Sequence, residues 1–574
     1  MTALDLSIVA LYLVVTLAWG ARHARQAGSS AEQFFVAGRS LPWWLAGTSI
    51  VATTFAADTP LAIAGLVATG GIAGNWFWWA DVLPAVIGAL VVASLWQRSG
   101  VLTDNELVEL RYAGRRASGL RLFRALYFGV LRNAIVIGWV DLAMLKVLRL
   151  VFDLPPGTEL WLLAGLFALT LGYTLIAGLW GVVFTDVLQF ALAMAGSIGL
   201  AGVALAHAGG FDGVAAVLRE RLGAARTAET LALVPTHGDA FWAFVVYLAV
   251  KSWASGNTEG SGYVAQRILA TRDERHARLA GLWYVVANFA LRPWPWIVVG
   301  LVALVDFPGL VDPEEGYVRV MLARLPAGLL GLMVATFLAA YMSTIDTHLN
   351  WGASYLTHDV YRRFLRPAAT ERDLVAVARL SVTALAALGA VATFGMASIE
   401  GAWKFLASIS AGVGLIVLLR WLWWRINAWS EISVMTASLV ATNALLLWSD
   451  IAFPFSLAIV VAISVPVSLV VTLCTGPEPM ETLVAFYVRV RPPGFWGPVA
   501  RAAGVPEAES VSAGRGPVAR VAAGTLGVYA WLVGGGWLLL GRPGAGTAAL
   551  ALGAVALAFA AAPLSARRVA RSRR

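Results

Sequence analysis

The sequence is poor in charge and in cysteine. Charged residues make up only 13% of the 574 residues, against about 25% in soluble domains, so a soluble globular protein is excluded. Cys474 is the single cysteine, which excludes an internal disulfide framework. The six histidines are scattered. We find no metal-binding cluster, nucleophile elbow or phosphate-binding loop in the sequence, which argues against a membrane enzyme.

Long runs of apolar residues make up much of the chain. The hydrophobic fraction is 59% and the mean hydropathy is +0.76. A membrane-spanning helix needs about 20 mainly apolar residues, and these runs are continuous rather than alternating. They predict an all-α integral membrane protein. About fifteen transmembrane helices are predicted, near 4–22, 43–69, 75–97, 122–150, 159–178, 181–206, 239–258, 280–305, 327–357, 375–396, 401–422, 431–448, 455–474, 518–540 and 546–563.

The placement of charge predicts the orientation of these spans. The net charge is +9, and basic residues cluster in loops after odd-numbered spans, for example at Arg39, Arg111, Arg267 and Arg362 and in the tail RRVARSRR. The positive-inside rule then predicts a multi-pass plasma-membrane protein with its N-terminus outside and its C-terminus in the cytoplasm. This pattern does not indicate a nucleic-acid partner. The first span lacks a preceding basic region and a small-residue cleavage site, so we expect a retained helix.

Two spans carry signals for a break near mid-membrane. The second span contains Pro60, which has no amide hydrogen and clashes with the preceding turn, so the helix should unwind just before it. The seventh span has Gly256, Asn257, Gly260 and Gly262 in its second half. The two spans are five apart, as expected for inverted repeats of five helices with the binding site at the broken helices. Pro and Gly are also frequent in membrane helices generally.

These signals divide the chain into predicted segments. They are an N-terminal extra helix and cytoplasmic loop (1–40), a first five-helix repeat (41–206), an extracellular loop (207–238), a second inverted five-helix repeat (239–422), two additional helices (423–474), a cytoplasmic linker rich in Pro, Gly and Arg (475–517), and two peripheral C-terminal helices with a basic tail (518–574).

Four ordered motifs carry a family resemblance. They are FFVAGRSLPWWLAGTSIVAT, GLWGVVFTDVLQFALAMAG, AQRILATRDERHAR and LPAGLLGLMVATFLAAYMSTIDTHLNWGASYLTHDVYRRFL. Over about residues 35–475 the chain resembles the sodium:solute symporter family, which includes proline, pantothenate, sialic acid, iodide and glucose symporters. The resemblance implies a leucine-transporter-type 5+5 inverted-repeat fold and sodium as the co-transported ion. RWLWWRINAWSEIS and GYVAQR are similar to a bacterial, proline-symporter-like branch, with no substrate assigned.

Hydroxyl and carbonyl oxygens recur along one face of span 9. Ser343, Thr344 and Thr347 follow Ala340 at helical spacings. Ser and Thr also bond back to their own helix in membranes, which is the structural alternative. The resemblance implies a sodium site formed by Ala56, Thr59, Ala340, Ser343 and Thr344.

The resemblance also suggests a second ion site, formed by Asp186, Asp346 and Thr347. A carboxylate at membrane depth is costly and therefore indicates function. Two nearby carboxylates either hold a cation or share a proton. The structural alternatives are that Asp186 caps the end of span 6 and that Asp346 pairs with a basic residue of another span.

The solute pocket is expected beside the two broken helices. Its candidate residues are Asp58, Trp78, Trp79, Arg132, Lys251 and Trp253. Asp58 and Arg132 match solute-binding positions of the family, and a guanidinium clamps a carboxylate with two hydrogen bonds. Tryptophans are also common at membrane interfaces, and a Lys251–Asp58 ion pair is the simpler alternative for that lysine. Glu400 and Lys404 are predicted to form a structural pair at i and i+4.

These residues predict sodium-coupled symport of a small polar solute by alternating access. Asp58 and Arg132 suit an amino and a carboxylate group, so an amino acid is favoured, then an organic acid, then a sugar. One alternative is a proton-coupled transporter in which Asp346 titrates. Another is a transporter-like solute sensor, although the chain contains no sizeable cytoplasmic signalling domain. We expect no obligate protein partner.

Overall fold

The apolar runs fold into helices, because only a helix satisfies every backbone polar group within one segment in lipid. A computed structural model describes residues 1–27, 37–101, 103–155, 157–174, 179–260, 262–505 and 515–562. Within these ranges the extended pairing is limited to isolated bridges between Leu41 and Thr271 and between Trp423 and Phe495. The predicted all-α class is therefore confirmed.

The first half of the chain contains the following helices, labelled in chain order: α1 Ala3–Ala27, α2 Trp43–Thr53, α3 Asp58–Gly70, α4 Ile72–Ser99, α5 Glu106–Arg111, α6 114–152, α7 Thr158–Thr174, α8 Leu179–His207 and α9 Gly210–Leu231. Single π-helical turns interrupt α4 at Gly88–Val92 and α6 at Tyr127–Arg132.

The second half continues with α10 Gly238–Ala254, α11 Tyr263–Leu269, α12 Glu274–Asp306, α13 Gly316–Arg324, α14 Leu329–Leu365, α15 Glu371–Phe394, α16 Ile399–Ile409, α17 Val413–Leu422, α18 Ala428–Trp448, α19 Phe455–Cys474, α20 Met480–Val490, α21 Gly497–Ala502, α22 Arg515–Leu539 and α23 Pro543–Ala561. A π-helical turn at Ala287–Leu291 bends α12.

Among the described residues, nine helices are long and apolar enough to cross a membrane, or eleven if each of two bent helix pairs counts as one span. A helix lies in every one of the fifteen predicted ranges. The multi-pass architecture is thus established, while the count of fifteen crossings stays a prediction.

Burial separates an inner from an outer layer of helices. Each of these helices contains an apolar stretch of 18 residues. Within the protein, 89% of that stretch is buried in α12 and in α14, but only 28% in α15 and 22% in α23. α2 packs against α8, α12 and α14. The broken second span therefore lies among the most enclosed helices, where a site shielded from lipid can form.

The predicted extracellular loop at 207–238 contains a helix, α9. Its sequence, GFDGVAAVLRERLGAARTAETL, contains both acidic and basic residues, so its hydropathy does not indicate a membrane span. Val214 and Leu218 are spaced by four residues and are buried, as expected for the inner face of an amphipathic helix. This face packs against α12.

The end of the chain is more closely attached than expected. The described part of the predicted linker forms α20 and α21, and it buries Tyr487 and Trp496. α22 packs on α12, where an added Cβ at Gly536 would lie only 2.4 Å from the ring of Trp294. The two helices are mostly unburied, with 33% of the apolar stretch of α22 and 22% of that of α23 inside the protein, so their peripheral position stays a prediction. The basic tail from residue 563 onward lies outside the described residues.

Candidate functional site

The second span is broken where Pro60 predicts it. α2 ends at Thr53, α3 begins at Asp58, and their axes differ by 63°. Pro60 occupies the first turn of α3, where an amide has no partner within the helix and proline is tolerated. The four residues between the helices therefore leave carbonyl groups without helical hydrogen bonds beside buried side chains.

The seventh span is broken by its glycines. α10 ends at Ala254, a short 3-10 turn covers Gly256–Glu259, and α11 begins at Tyr263. Gly260 and Gly262 have φ of 60° and 69°, a region that glycine enters without steric cost. Both breaks predicted from the sequence are present; the side chain of Asn257 lies outside the described residues.

The sodium-site residues on α14 are buried, and one lacks a hydrogen-bond partner. Ala340, Ser343 and Thr344 are at most 8% exposed. Thr344 Oγ1 is fully buried and has no hydrogen-bond partner among the described residues. In the break of the second span, the Ala56 carbonyl accepts a bond from the Thr59 amide at 3.2 Å. A buried unpaired hydroxyl oxygen is the kind of ligand that a small hard cation takes.

Asp186 joins three helices instead of capping one. It accepts hydrogen bonds from Ser49 Oγ of α2 at 2.6 Å and from Ser343 Oγ of α14 at 2.9 Å. The Arg267 guanidinium of α11 lies 3.7 Å from the same carboxylate. The alternative reading of Asp186 as a helix cap is therefore wrong. The carboxylate is fully buried and connects the sodium-site helix to the broken second span.

Arg267 also lies near the second acidic residue of α14. Its guanidinium interacts electrostatically with Asp346, whose carboxylate accepts a bond from Asn350 Nδ2 at 2.7 Å. The sequence placed Arg267 in a cytoplasmic loop, whereas the side chain is 1% exposed. A buried cation thus lies beside Asp186 and within electrostatic range of Asp346, the two carboxylates of the predicted second ion site. Thr347 is buried on the same helix.

Asp58 presents one bonded and one unbonded carboxylate oxygen. Oδ2 accepts a hydrogen bond from Trp403 Nε1 at 3.1 Å, while Oδ1 is buried without a partner. Lys251 lies 3.6 Å from Asp81, so the expected Lys251–Asp58 pair is wrong. The reason is geometric: Lys251 precedes its helix break by several residues and faces α4. Asp58 is therefore not neutralised by that lysine.

A cation missed by the sequence analysis lies beside Asp58. Arg292, immediately after the π-turn of α12, is 3% exposed and interacts electrostatically with Asp58. Its Nη1 donates to the Val51 carbonyl at 3.2 Å and to Thr54 Oγ1 at 3.1 Å. It thereby binds carbonyl and hydroxyl groups at the C-terminal end of α2, where positive charge is favourable. Arg292 Nε is buried without a partner.

Arg132 is open to a ligand. It ends the π-turn of α6 and is half-buried, and its guanidinium lies 5.8 Å from the centroid of the Phe128 ring. Among the described residues no hydrogen bond or ion pair engages it. The hydroxyl groups of Tyr263, Tyr127 and Tyr355 lie within electrostatic range. π-Turns occur frequently at functional sites, and here two of them present arginines.

The candidate tryptophans separate into two groups. Trp78 stacks on Phe289 with ring centroids 5.8 Å apart, and Trp79 is buried with its Nε1 unpaired. Trp253 is 38% exposed, and its indole nitrogen donates to the Ala249 carbonyl of its own helix. The structure brings Trp78 and Trp79 to the inner helices but does not group Trp253 with them.

A buried ion-pair network lies toward one end of the helix bundle. It consists of Asp104, Arg124, Glu259, Arg420 and Glu431, each at most 5% exposed. Arg420 bonds both Glu259 and Glu431, and Arg124 lies 2.9 Å from Glu431 and 3.9 Å from Glu259. Glu259 lies in the break of the seventh span, so the network holds that break against α6, α17 and α18.

Glu314 joins helices toward the opposite end of the bundle. Its carboxylate lies 2.5 Å from Lys146 of α6 and accepts from the Ile399 and Glu400 amides at 3.2 and 2.9 Å. A carboxylate at the N-terminus of α16 satisfies amides that have no helical partner. Lys404 pairs with Glu400 at 2.6 Å, as the sequence predicts.

Comparison with known proteins gives a consistent result. A model of the sodium:solute symporter family matches residues 34–437. A sodium/glucose cotransporter 4 of Danio rerio is 24% identical over 546 residues, which cover 84% of this chain and 80% of that protein. A sodium/mannose cotransporter of Bos taurus is 28% identical, over 67% of this chain and 68% of that protein.

The human sodium/glucose cotransporter 4 is 26% identical, and the match spans 59% of its length. Among solved structures, a Na+-coupled sialic acid symporter in a substrate-bound outward-open state aligns with a TM-score of 0.68 and 19% identity. The alignment covers 83% of this chain and 99% of that one. This likeness shows the fold.

Proposed function

The chain belongs to the sodium:solute symporter family, and from this premise we propose that it carries a small zwitterionic solute, an amino acid before an organic acid or a sugar, together with sodium by alternating access. Sodium is the co-transported ion, and the protein is a multi-pass membrane transporter. The proposal concerns the solute, the residues that hold it and the path that it takes.

One observation carries the proposal. Two buried polar atoms of residues that adjoin the break of the second span have no hydrogen-bond partner among the described residues: the acceptor Asp58 Oδ1 and the donor Arg292 Nε. Leaving such groups unsatisfied costs about 1–3 kcal/mol each. A solute with a cationic and an anionic group pairs with both, and the unengaged guanidinium of Arg132 offers a second anchor for its carboxylate. A neutral sugar would offer no ionic partner to the guanidinium of Arg132.

The proposed sodium site consists of Ala56, Thr59, Ala340, Ser343 and Thr344. Thr344 Oγ1 supplies the unpaired hydroxyl, and the broken second span supplies the carbonyl oxygens. Ion binding there would join α3 to α14 and complete the solute pocket between the two breaks. Asp186 lies next to this site, and its bond to Ser343 supports a role in orienting that ligand rather than in forming a separate ion cage.

We further propose that two inverted five-helix repeats, 41–206 and 239–422, rock around this site. The buried ion-pair network lies at the end that the positive-inside rule assigns to the cytoplasm, and Glu314 lies at the outer end. Opening toward the cytoplasm requires Glu259 to separate from Arg420 and Arg124. Alternating access then consists of loosening one of these closures while the other is kept.

A thermal-unfolding screen tests the solute assignment. The full-length protein is heated with amino acids, organic acids or sugars, in sodium or in choline at fixed pH. A ligand of the folded state raises the apparent Tm by mass action. We expect a sodium-dependent rise for an amino acid, and its loss in Asp58→Asn. A rise with sugars only, or one that is equal in choline, contradicts the proposal. Uptake into proteoliposomes with the same solute then establishes transport.

A further inference from the structure

A cavity of about 420 Å³ lies on the outer side of the bundle, between α6, α7 and α15. This volume lies within the range of about 300–1,000 Å³ that is usual for small-molecule sites. The cavity is separate from the broken helices, and its far wall includes alanines of α15, such as Ala387 and Ala390, that are exposed at the surface of the bundle. Because α15 is largely unburied within the protein, the cavity is reached from the lipid.

One carboxylate lies in this largely apolar wall. Asp141 is 3% exposed, and its Oδ1 accepts a hydrogen bond from Tyr341 of α14 at 2.8 Å. The second oxygen has no hydrogen-bond or ionic partner among the described residues. The other polar lining residues, Thr383 and Thr393, donate to carbonyl groups of their own helix at 3.0 Å. Among the described side chains that line the cavity, Asp141 Oδ2 is thus the one carboxylate oxygen without a partner.

The depth of Asp141 restricts what can pair with it. Eleven residues separate it from the end of α6 at Phe152, which is about 16 Å of helix. A phospholipid headgroup stays near the interface and does not reach that depth. A carboxylate in the membrane interior is costly and marks a functional site by default.

The remaining occupants differ in how many partners they need. A water molecule needs two to four polar partners, and a metal cation needs several oxygen ligands; one free oxygen provides neither. A hydrocarbon chain fills the volume but leaves the buried acceptor unpaired, which is unfavourable. A protonated tertiary amine has one N–H donor and apolar substituents. It matches one carboxylate oxygen surrounded by Leu, Ala and Phe side chains.

We infer that this cavity is a binding site for a lipid-soluble tertiary amine, which enters from the bilayer and pairs with Asp141 Oδ2. Tyr341 holds the other oxygen and so fixes the direction of the carboxylate. The attraction is stronger than in water because the pair is surrounded by apolar groups. The inference does not depend on which solute the transporter carries.

The test uses the full-length protein in lipid nanodiscs and two probes of equal shape. These are N,N-dimethyl-(4-phenylbenzyl)amine and its uncharged counterpart 4-isobutylbiphenyl, each titrated while the apparent Tm is measured. We expect the amine to raise the Tm of the wild type saturably, at a concentration at least about tenfold lower than the hydrocarbon. Equal action of the two probes, or no action of the amine, overturns the inference.

Two variants identify the site. Asp141→Asn should abolish the advantage of the amine over the hydrocarbon. Ala387→Phe, which fills the cavity without changing the carboxylate, should weaken binding of both probes at least tenfold. Ala387→Phe therefore tests the location of the site even if Asp141→Asn fails to fold. Ala384→Phe is the matched control, since Ala384 is exposed on the same helix but does not line the cavity. Unchanged amine binding in Ala387→Phe contradicts the assignment.

Discussion

The unpaired hydroxyl of Thr344 allows the sodium site to be tested separately from the fold. Thr344→Val replaces the hydroxyl by a methyl group of similar size, in a place where Oγ1 is buried and has no hydrogen-bond partner in the part of the chain that the structure describes. Burying an unpaired hydroxyl costs about 1–3 kcal/mol, so its removal should leave stability in potassium unchanged or raised by up to that amount. In sodium the same substitution should remove a ligand.

The size of the sodium effect follows from mass action. A ligand at a hundred times its Kd stabilises the folded state by about 2.7 kcal/mol. We expect wild-type protein in saturating sodium to show a Tm rise of that origin, and Thr344→Val to lose most of it. The assay is thermal unfolding of detergent-solubilised protein, titrated with sodium against potassium at constant ionic strength.

Two neighbouring residues complete the experiment. Ser343→Ala removes a hydrogen-bond donor to Asp186. It should therefore lower the free energy of unfolding by about 1–3 kcal/mol, and with it the Tm, even in potassium. Thr336→Val is the control, because Thr336 Oγ1 bonds only to the Leu332 carbonyl of the same helix. An undiminished sodium-dependent rise in Thr344→Val, or a clear loss of stability in potassium, would refute the reasoning.

Three further predictions concern the pocket and the buried ion-pair network. Glu259→Gln removes one charged partner of Arg420 and should favour the cytoplasm-open form by about 3 kcal/mol, or about 150-fold. Distances between spin labels placed across that end of the bundle would measure the shift. An unchanged distance distribution contradicts the prediction. Arg292→Lys keeps the charge but loses Nε, and should raise the solute KM at least about tenfold in uptake assays. Arg132→Lys should weaken carboxylate-bearing solutes by a similar factor and spare their amides, measured by competition.

The features that the sequence predicted well are those with a local cause. Pro60 breaks the second span because of its own missing amide hydrogen, and the glycines of the seventh span allow positive φ wherever they stand. Helices were located because apolar runs of about 20 residues have few other solutions in lipid. None of these conclusions required knowledge of a distant partner.

The features that the sequence did not predict depend on partners far along the chain. Arg267 and Arg292 resemble loop or flanking arginines in sequence, yet they reach Asp186 and the end of α2 across more than 80 and more than 230 residues. The distribution of charge along the sequence predicts that such arginines are exposed to water. Their burial becomes visible only when the helices that carry their partners are packed together. The pairing of Lys251 with Asp81 was missed for the same reason.

Because α22 packs on the inner helices, the packed helical unit of this transporter extends beyond the residues that the family model matches. The family model stops at residue 437, yet Tyr529 donates a hydrogen bond to the Trp79 carbonyl at 3.0 Å and Trp294 donates to the Leu532 carbonyl at 3.1 Å. Trimming the protein at the boundary of its homology would therefore expose indole faces of the inner helices to lipid. In this chain α22 is bonded to Trp79 and Trp294 of the inner helices, and we expect its sequence to vary together with theirs rather than as that of an independent appendage.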